Sequence, residues 1–200
     1  MTVTVGTKQL SDAMSQAYPS AVQPQHILHF WFEELTDKQH FVKDPALDEA
    51  MRSRFCLTLD AAARCELFAW RATPEGRLAE LLVLDQFSRN IFRDTPHAFA
   101  QDALALVLAQ EMVAGGHDQQ LTPAQCAFAY MPYMHSESLV VHAEAVRLFS
   151  LPGLENNLNF EMRHKAIIDR FGRYPHRNAI LGRTSSAQEL AFLSEPGSSF

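Results

Sequence analysis

Two short segments of the sequence share one pattern of chemically active side chains: two apolar residues, Asp, any residue, Phe, any residue and Arg. The acid and the arginine are Asp85 and Arg89 in the first copy, and Asp169 and Arg173 in the second. A spacing of four residues lets the two side chains pair on one face of a helix. The pairs are therefore either ordinary surface ion pairs or carboxylates that orient an arginine toward a ligand.

Each copy is followed by further polar side chains that could join a site. These are Asn90 and Arg93 after the first copy, and His176, Arg177 and Asn178 after the second. Residues 163–183 hold six Lys and Arg against one acid, a net charge of +5, whereas the chain carries −6 and the rest of it −11. The excess favours an anionic partner, such as a carboxylate, a phosphate or an acidic peptide, unless these cations pair with the acid-rich remainder.

A histidine and an acid lie together near the expected start of another helix. His135 and Glu137 flank Ser136. A histidine beside a carboxylate can transfer a proton near neutral pH. The alternative is that the segment only caps and packs a helix, with Ser136 as the capping residue.

Signals for a metal or a cofactor are weak. Glu161 and His164 have the spacing of two ligands on one helix face, but a carboxylate-bridged site would need a second copy, which the sequence lacks. It also lacks a glycine-rich phosphate loop, G-x-S-x-G and H-E-x-x-H. We expect neither a metal nor a cofactor.

The elements that must position these residues are predicted to be helices. A capping side chain precedes a proline at four places, which is typical of helix starts: Asp44-Pro45, Thr73-Pro74, Thr95-Pro96 and Thr122-Pro123. Further helices are predicted at 24–35, 137–150, 157–172, 175–182 and 186–194. No alternation typical of a β-hairpin follows Pro24. We expect a flexible leader at 1–23 and a single all-helical domain of antiparallel helix pairs at 24–200.

Composition narrows the classes of function. Apolar residues make up 47% of the 200 residues, a globular composition, and the net charge of −6 argues against nucleic-acid binding. The longest fully apolar run, 103–109, is far too short to cross a membrane. Three cysteines, an odd number without a C-x-x-C pair, indicate reduced thiols and therefore a cytoplasmic location.

Four motifs together resemble a mostly bacterial family, domain of unknown function 924. They are ILHFWF at 27–32, LDQFSRNIFR at 84–93, MHSE at 134–137 and RFGRYPHRN at 170–178. The resemblance implies an all-α fold of antiparallel helix pairs in a tetratricopeptide-repeat-like right-handed superhelix, and it implies no established activity. His29 stands where the family more often has Asp, and Ser88 where it usually has Pro. Without that proline, helix 74–89 should continue without a kink.

Two classes of function remain open. A binding module would hold an acidic peptide or protein on a concave helical surface, with the basic segment clamping an anionic group. An enzyme or small-molecule sensor would instead gather an Asp/Arg/His pocket around an anionic ligand. A closed pocket favours the second class and an open groove the first. The candidate ligand-binding residues are Asp85, Arg89, Asn90, Arg93, His135, Glu137, Asp169, Arg173, His176, Arg177 and Asn178.

These hypotheses predict a specific geometry. The two copies of the pattern should meet in space, with Asp85 pairing with Arg173 or Arg177 and Asp169 with Arg89. An anion should then bind through Arg89, Arg173 and Arg177. His176 should add a donor whose charge rises as the pH falls through about 6.5.

Overall fold

The computed structural model describes residues 22–198, so most of the predicted flexible leader lies outside the described residues. This part of the chain is helical and contains no strand, which confirms the predicted all-α class. The helices are α1 (Pro24–His29), α2 (Pro45–Ala63), α3 (Pro74–Leu82), α4 (Ser88–Ile91), α5 (Asp102–Ala114), α6 (Pro123–Met134), α7 (Leu139–Phe149), α8 (Glu155–Phe171) and α9 (Ala187–Leu193).

Most of the predicted helix starts are confirmed by their caps. The Asp44 carboxylate accepts the backbone N–H groups of the first turn of α2, and the Thr73 hydroxyl does the same for α3. Thr122 and Ser186 form capping boxes at the starts of α6 and α9. These side chains satisfy donors that a helix start leaves free.

Three predicted elements are wrong in detail. Thr95 begins only a 3₁₀ turn, Pro96–Phe99, and its hydroxyl donates to the Phe92 carbonyl instead of capping. The predicted helix 175–182 is a 3₁₀ turn, Pro175–Arg177. Ser136 does not cap α7, because the N-cap position of that helix is Ser138.

The core is built around α3, which is buried along most of its length. It packs against α1, α5 and α6, while α5 packs against α6, α6 against α7 and α7 against α8. Phe30, Trp31, Phe55 and Phe87 bring aromatic rings together at the centre. Within residues 22–198 no helix is long and apolar enough to cross a membrane.

A widened turn interrupts the rod formed by α3 and α4. Residues Val83–Phe87 adopt a π-helix, and all five of them are buried. The rod continues through Ser88 without a proline kink, and the Ser88 hydroxyl donates to the Leu84 carbonyl at 2.6 Å. A π turn places two polar residues, Asp85 and Gln86, inside the protein, and such turns occur often at functional sites.

Candidate functional site

The centre of the site is an ion-paired histidine. Asp85 is 1% exposed, and its carboxylate accepts Nδ1 of His135 at 2.7 Å. Arg89 Nη1 lies 3.0 Å from the same carboxylate, and Gln86 donates to it as well. Burial alone would raise the pKa of the Asp85 carboxyl, but Arg89 and His135 hold that pKa well below its usual range. Asp85 is therefore an anion at neutral pH.

The ionised Asp85 fixes the proton of the histidine ring. Because the carboxylate only accepts hydrogen bonds, Nδ1 of His135 carries the proton and Nε2 carries the lone pair. None of residues 22–198 makes a hydrogen bond to Nε2, and the His135 side chain is 16% exposed. Burial and the Arg89 cation lower the pKa of His135, so its ring is neutral at pH 7. A neutral imidazole oriented by a carboxylate is a proton acceptor.

Asp102, at the start of α5, joins two arginines. Its carboxylate accepts both Nη atoms of Arg89, at 2.9 and 3.1 Å, and Arg177 Nη1 at 3.2 Å. Sequence reasoning missed this residue, because its only signal is an acid in the first turn of a helix. Asp102 ties α4, α5 and the turn Pro175–Arg177 together.

Arg177 is a buried cation with few partners. It is 7% exposed, and its guanidinium lies over the rings of Phe99 and Tyr174, 4.7 and 4.6 Å from their centroids. The single hydrogen bond of its guanidinium in the described part of the chain is the one to Asp102, and its Nε is buried without an acceptor. Burial, together with the Arg89 cation, lowers the pKa of Arg177. An arginine can donate five hydrogen bonds, so an acceptor is missing here.

An open cleft of about 430 Å³ gives access to these groups. Its lining combines polar and apolar side chains. The lining residues are Pro96, Phe99, Ala100, Asp102, Ala103, Leu106, Pro132, His135, Ser136, Glu137, Arg177 and Leu181. The cleft therefore offers a cation, a proton acceptor and an apolar surface to one ligand.

Glu137 lies at the cleft but serves another partner. Its carboxylate accepts both terminal nitrogens of Arg183, at 2.6 and 2.9 Å, and the backbone N–H of Tyr174 at 2.8 Å. Glu137 thereby fixes the segment that carries Arg177. Arg183 was not among the candidate site residues, although the basic segment contains it.

Asn90 and Arg93 belong to a separate clamp. Both donate to the Asp48 carboxylate of α2, Asn90 at 2.8 Å and Arg93 at 2.5 and 2.7 Å. Neither residue lines the cleft. Their contacts hold α2 against α4, a structural role.

The second copy of the pattern does not pair with the first. Asp169 accepts Lys165 at 2.7 Å on the surface of α8, and Arg173 donates to Glu189 at 2.6 and 2.8 Å. Asn178 also donates to Glu189. The predicted pairs of Asp85 with Arg173 or Arg177 and of Asp169 with Arg89 are therefore wrong; Arg177 pairs with Asp102 instead.

The predicted charge switch at His176 is wrong as well. Burial, with help from the Arg177 cation, lowers the pKa of His176 to about 4. Its ring therefore stays neutral throughout the range from pH 7 to 5. Among residues 22–198 no three His, Cys, Asp or Glu side chains converge as a metal site.

Comparison with known proteins places the chain in a family. The family model described as bacterial protein of unknown function, DUF924, matches residues 27–197 of this sequence. A solved protein of unknown function from Agrobacterium tumefaciens is similar to this chain at 38% identity and a TM-score of 0.81, covering 90% of this chain and 98% of that one. No curated protein matches. The chain belongs to the DUF924 family.

Proposed function

We propose that the protein is a helical binding module whose cleft holds an anionic group of a small molecule or an acidic peptide. The observation that carries this proposal is Arg177, a cation 7% exposed at the cleft wall with a buried Nε that lacks an acceptor. A buried donor without an acceptor is costly, and a carboxylate or phosphate oxygen would supply one.

The other two arginines first expected in the site contribute less. Arg89 already holds Asp85 and Asp102, and Arg173 holds Glu189 away from the cleft. Arg89 and Arg173 each donate through two nitrogens to a carboxylate, whereas Arg177 has one contact, at 3.2 Å, with Asp102 and so keeps more donors for a ligand. The proposal therefore assigns direct binding to Arg177 and leaves Arg89 the task of orienting Asp102.

The shape of the cleft supports binding of a partner group rather than full enclosure. The cleft opens to solvent, and its apolar wall includes Phe99, Leu106 and Pro132. A tetratricopeptide-repeat-like superhelix, which would present such a surface on its concave side, stays a prediction. So does a cytoplasmic location, which would keep Cys56, Cys65 and Cys126 as thiols.

The experiment is a thermal-shift and calorimetry series with sulfate, phosphate and small carboxylates on the wild type, Arg177→Lys and Arg173→Lys. At least one anion should stabilise the wild type, and this effect should weaken with salt. Arg177→Lys should lose most of it, because an ammonium lacks the planar fork. Arg173→Lys should keep it. If no anion stabilises the wild type, the proposal fails.

The second candidate function is an enzyme or small-molecule sensor. The observation that favours it is the pair of Asp85 and His135, in which a buried carboxylate orients a neutral ring that lines the cleft. This arrangement serves general-base catalysis elsewhere. Incubating each ligand that binds with the wild type and with His135→Gln, and following the ligand by NMR, tests it. Turnover by the wild type alone would support an enzyme.

A further inference from the structure

The charges around the cleft balance before any ligand arrives. Asp85 and Asp102 supply two negative charges, and Arg89 and Arg177 supply two positive ones. The neighbouring Glu137 is matched by Arg183. A ligand anion therefore adds a negative charge to a group of side chains that has no net charge.

A buried site with an unbalanced charge is unfavourable, so a compensating proton is expected. His135 is placed to take it. Its ring lines the cleft and is 16% exposed, its Nδ1–H is held by Asp85, and no residue of 22–198 makes a hydrogen bond to its Nε2. A proton on Nε2 would convert the ring to an imidazolium that the Asp85 carboxylate stabilises.

We infer that the ligand is a small apolar monocarboxylic acid, bound as a carboxylate on Arg177 together with one proton taken from solvent onto Nε2 of His135. This inference rests on the proposed function and names its ligand class. The charges balance, because the bound carboxylate adds one negative charge and the proton that forms the new N–H bond adds one positive charge.

The charged groups around His135 act in opposite directions, since Asp85 and Asp102 raise the pKa of its ring and Arg89 lowers it. Asp85 contacts the ring, while Arg89 and Asp102 act on it through space. A carboxylate on Arg177 would offset part of the positive field that disfavours the imidazolium. The neighbouring histidines compete poorly for the proton, since burial lowers the pKa of His164 to about 3 and that of His176 to about 4.

The same charge balance excludes doubly charged ligands. His135 can compensate one negative charge, and a phosphate dianion or a dicarboxylate would leave a second one in a partly desolvated cleft. The walls outside the polar edge are Phe99, Leu106, Pro132 and Leu181, which match an aryl or alkyl group. A cleft of about 430 Å³ suits a ligand of that size.

The test uses phenylacetate as the probe, in calorimetric titrations with buffers of low and high ionisation enthalpy between pH 5.5 and 8. We expect phenylacetate to bind with uptake of up to one proton, and its affinity to rise by at most about tenfold per unit of falling pH. Phenyl phosphate, doubly charged at pH 7.5, and uncharged phenylacetamide should each bind at least about tenfold more weakly.

Two histidine variants locate the proton. His135→Gln should bind phenylacetate without proton uptake and with an affinity that no longer depends on pH, whereas His176→Gln should behave as the wild type. If His135→Gln does not fold, the number of protons that the wild type takes up and the relative affinities of the three probes still test the inference. Binding without proton uptake, or tighter binding of phenyl phosphate, would overturn the inference and leave the proposed function standing. If neither these probes nor the wider anion series binds, both fall.

Discussion

Replacing Asp102 by alanine tests the contact that joins α4, α5 and the turn Pro175–Arg177. The variant removes two hydrogen bonds to Arg89 and the single one to Arg177. Breaking a buried ion pair costs about 3–5 kcal/mol. The Asp102 side chain is 22% exposed and Arg89 keeps Asp85, so water and that carboxylate reduce the cost. We expect the free energy of unfolding to fall by about 2–3 kcal/mol.

The assay is urea unfolding followed by circular dichroism, together with the thermal midpoint. A loss of about 2–3 kcal/mol corresponds to a midpoint lower by about 4–12 °C in a chain of this size. Acetate should then restore part of the lost stability, because it can occupy the position of the missing carboxylate. At 100 mM acetate and a Kd of about 10 mM, mass action gives about 1.4 kcal/mol.

Asp169→Ala is the matched control, because it removes a surface pair with Lys165. It should change stability by less than about 0.5 kcal/mol and should not respond to acetate. Two results would refute the reasoning. Asp102→Ala within about 0.5 kcal/mol of the wild type would show that the arginines do not need this carboxylate. Equal stabilisation of wild type and variant by acetate would show that no anion position had been opened.

Acid should destabilise the protein through its buried histidines, because the pKa values of His176 and His164 are lowered to about 4 and about 3. Between pH 6.5 and 4 the unfolded chain therefore binds more protons than the folded one, and stability decreases as the pH is lowered. Urea unfolding across this range should show a slope of at most about 1.4 kcal/mol per pH unit for each histidine, shallower in His176→Gln; an unchanged slope would contradict this origin. Asp48→Ala should lower stability by about 2 kcal/mol, because it leaves Arg93 and Asn90 without their carboxylate, yet should leave phenylacetate binding intact, as calorimetry can verify. Ala103→Trp, an exposed position on the cleft wall, should abolish phenylacetate binding while the circular-dichroism spectrum and thermal midpoint stay near those of the wild type; undiminished binding would place the ligand elsewhere.

Much of the fold could be predicted because its signals are local. Asp44 and Thr73 each lie next to the backbone groups that they cap, so one short stretch of sequence contains the whole interaction. Thr95 also precedes a proline, but its hydroxyl donates to the Phe92 carbonyl, and the helix begins only at Asp102. A local pattern cannot show whether a hydroxyl accepts from the N–H groups that follow it or donates to a carbonyl that precedes it.

The site was harder to predict because its contacts join distant parts of the chain. Asp85 meets His135 across 50 residues, and Asp102 meets Arg177 across 75. Helix periodicity places each side chain on a face of its own helix and contains no information about which faces meet. His135 and Asp85 were therefore each identified by their chemistry, but their pairing was not, because the sequence places Glu137 next to His135.

The repeated pattern misled for a definable reason. The prediction placed Asp169 and Arg173 on one helix face, but Gly172, with φ of 68°, ends α8 between them. Lys165, one turn before Asp169, then becomes its partner. In the first copy the chain stays helical from Asp85 to Arg89, and that pair forms. The two copies share the spacing of Asp, Phe and Arg but make different contacts, because only the second copy crosses the end of a helix.

The π turn at Val83–Phe87 sets the rotation of α4 relative to α3 about their shared helix axis. One inserted residue rotates everything that follows by roughly 100° about the helix axis relative to a regular helix. Here that rotation lets α3 keep its apolar faces in the core while Arg89 in α4 turns toward Asp102. Loss of a single residue from the turn would leave a longer, more regular helix in which Arg89 is rotated relative to α3 and away from Asp102. The π turn therefore rotates α4, which carries Arg89 toward the cleft, relative to α3, which packs in the core.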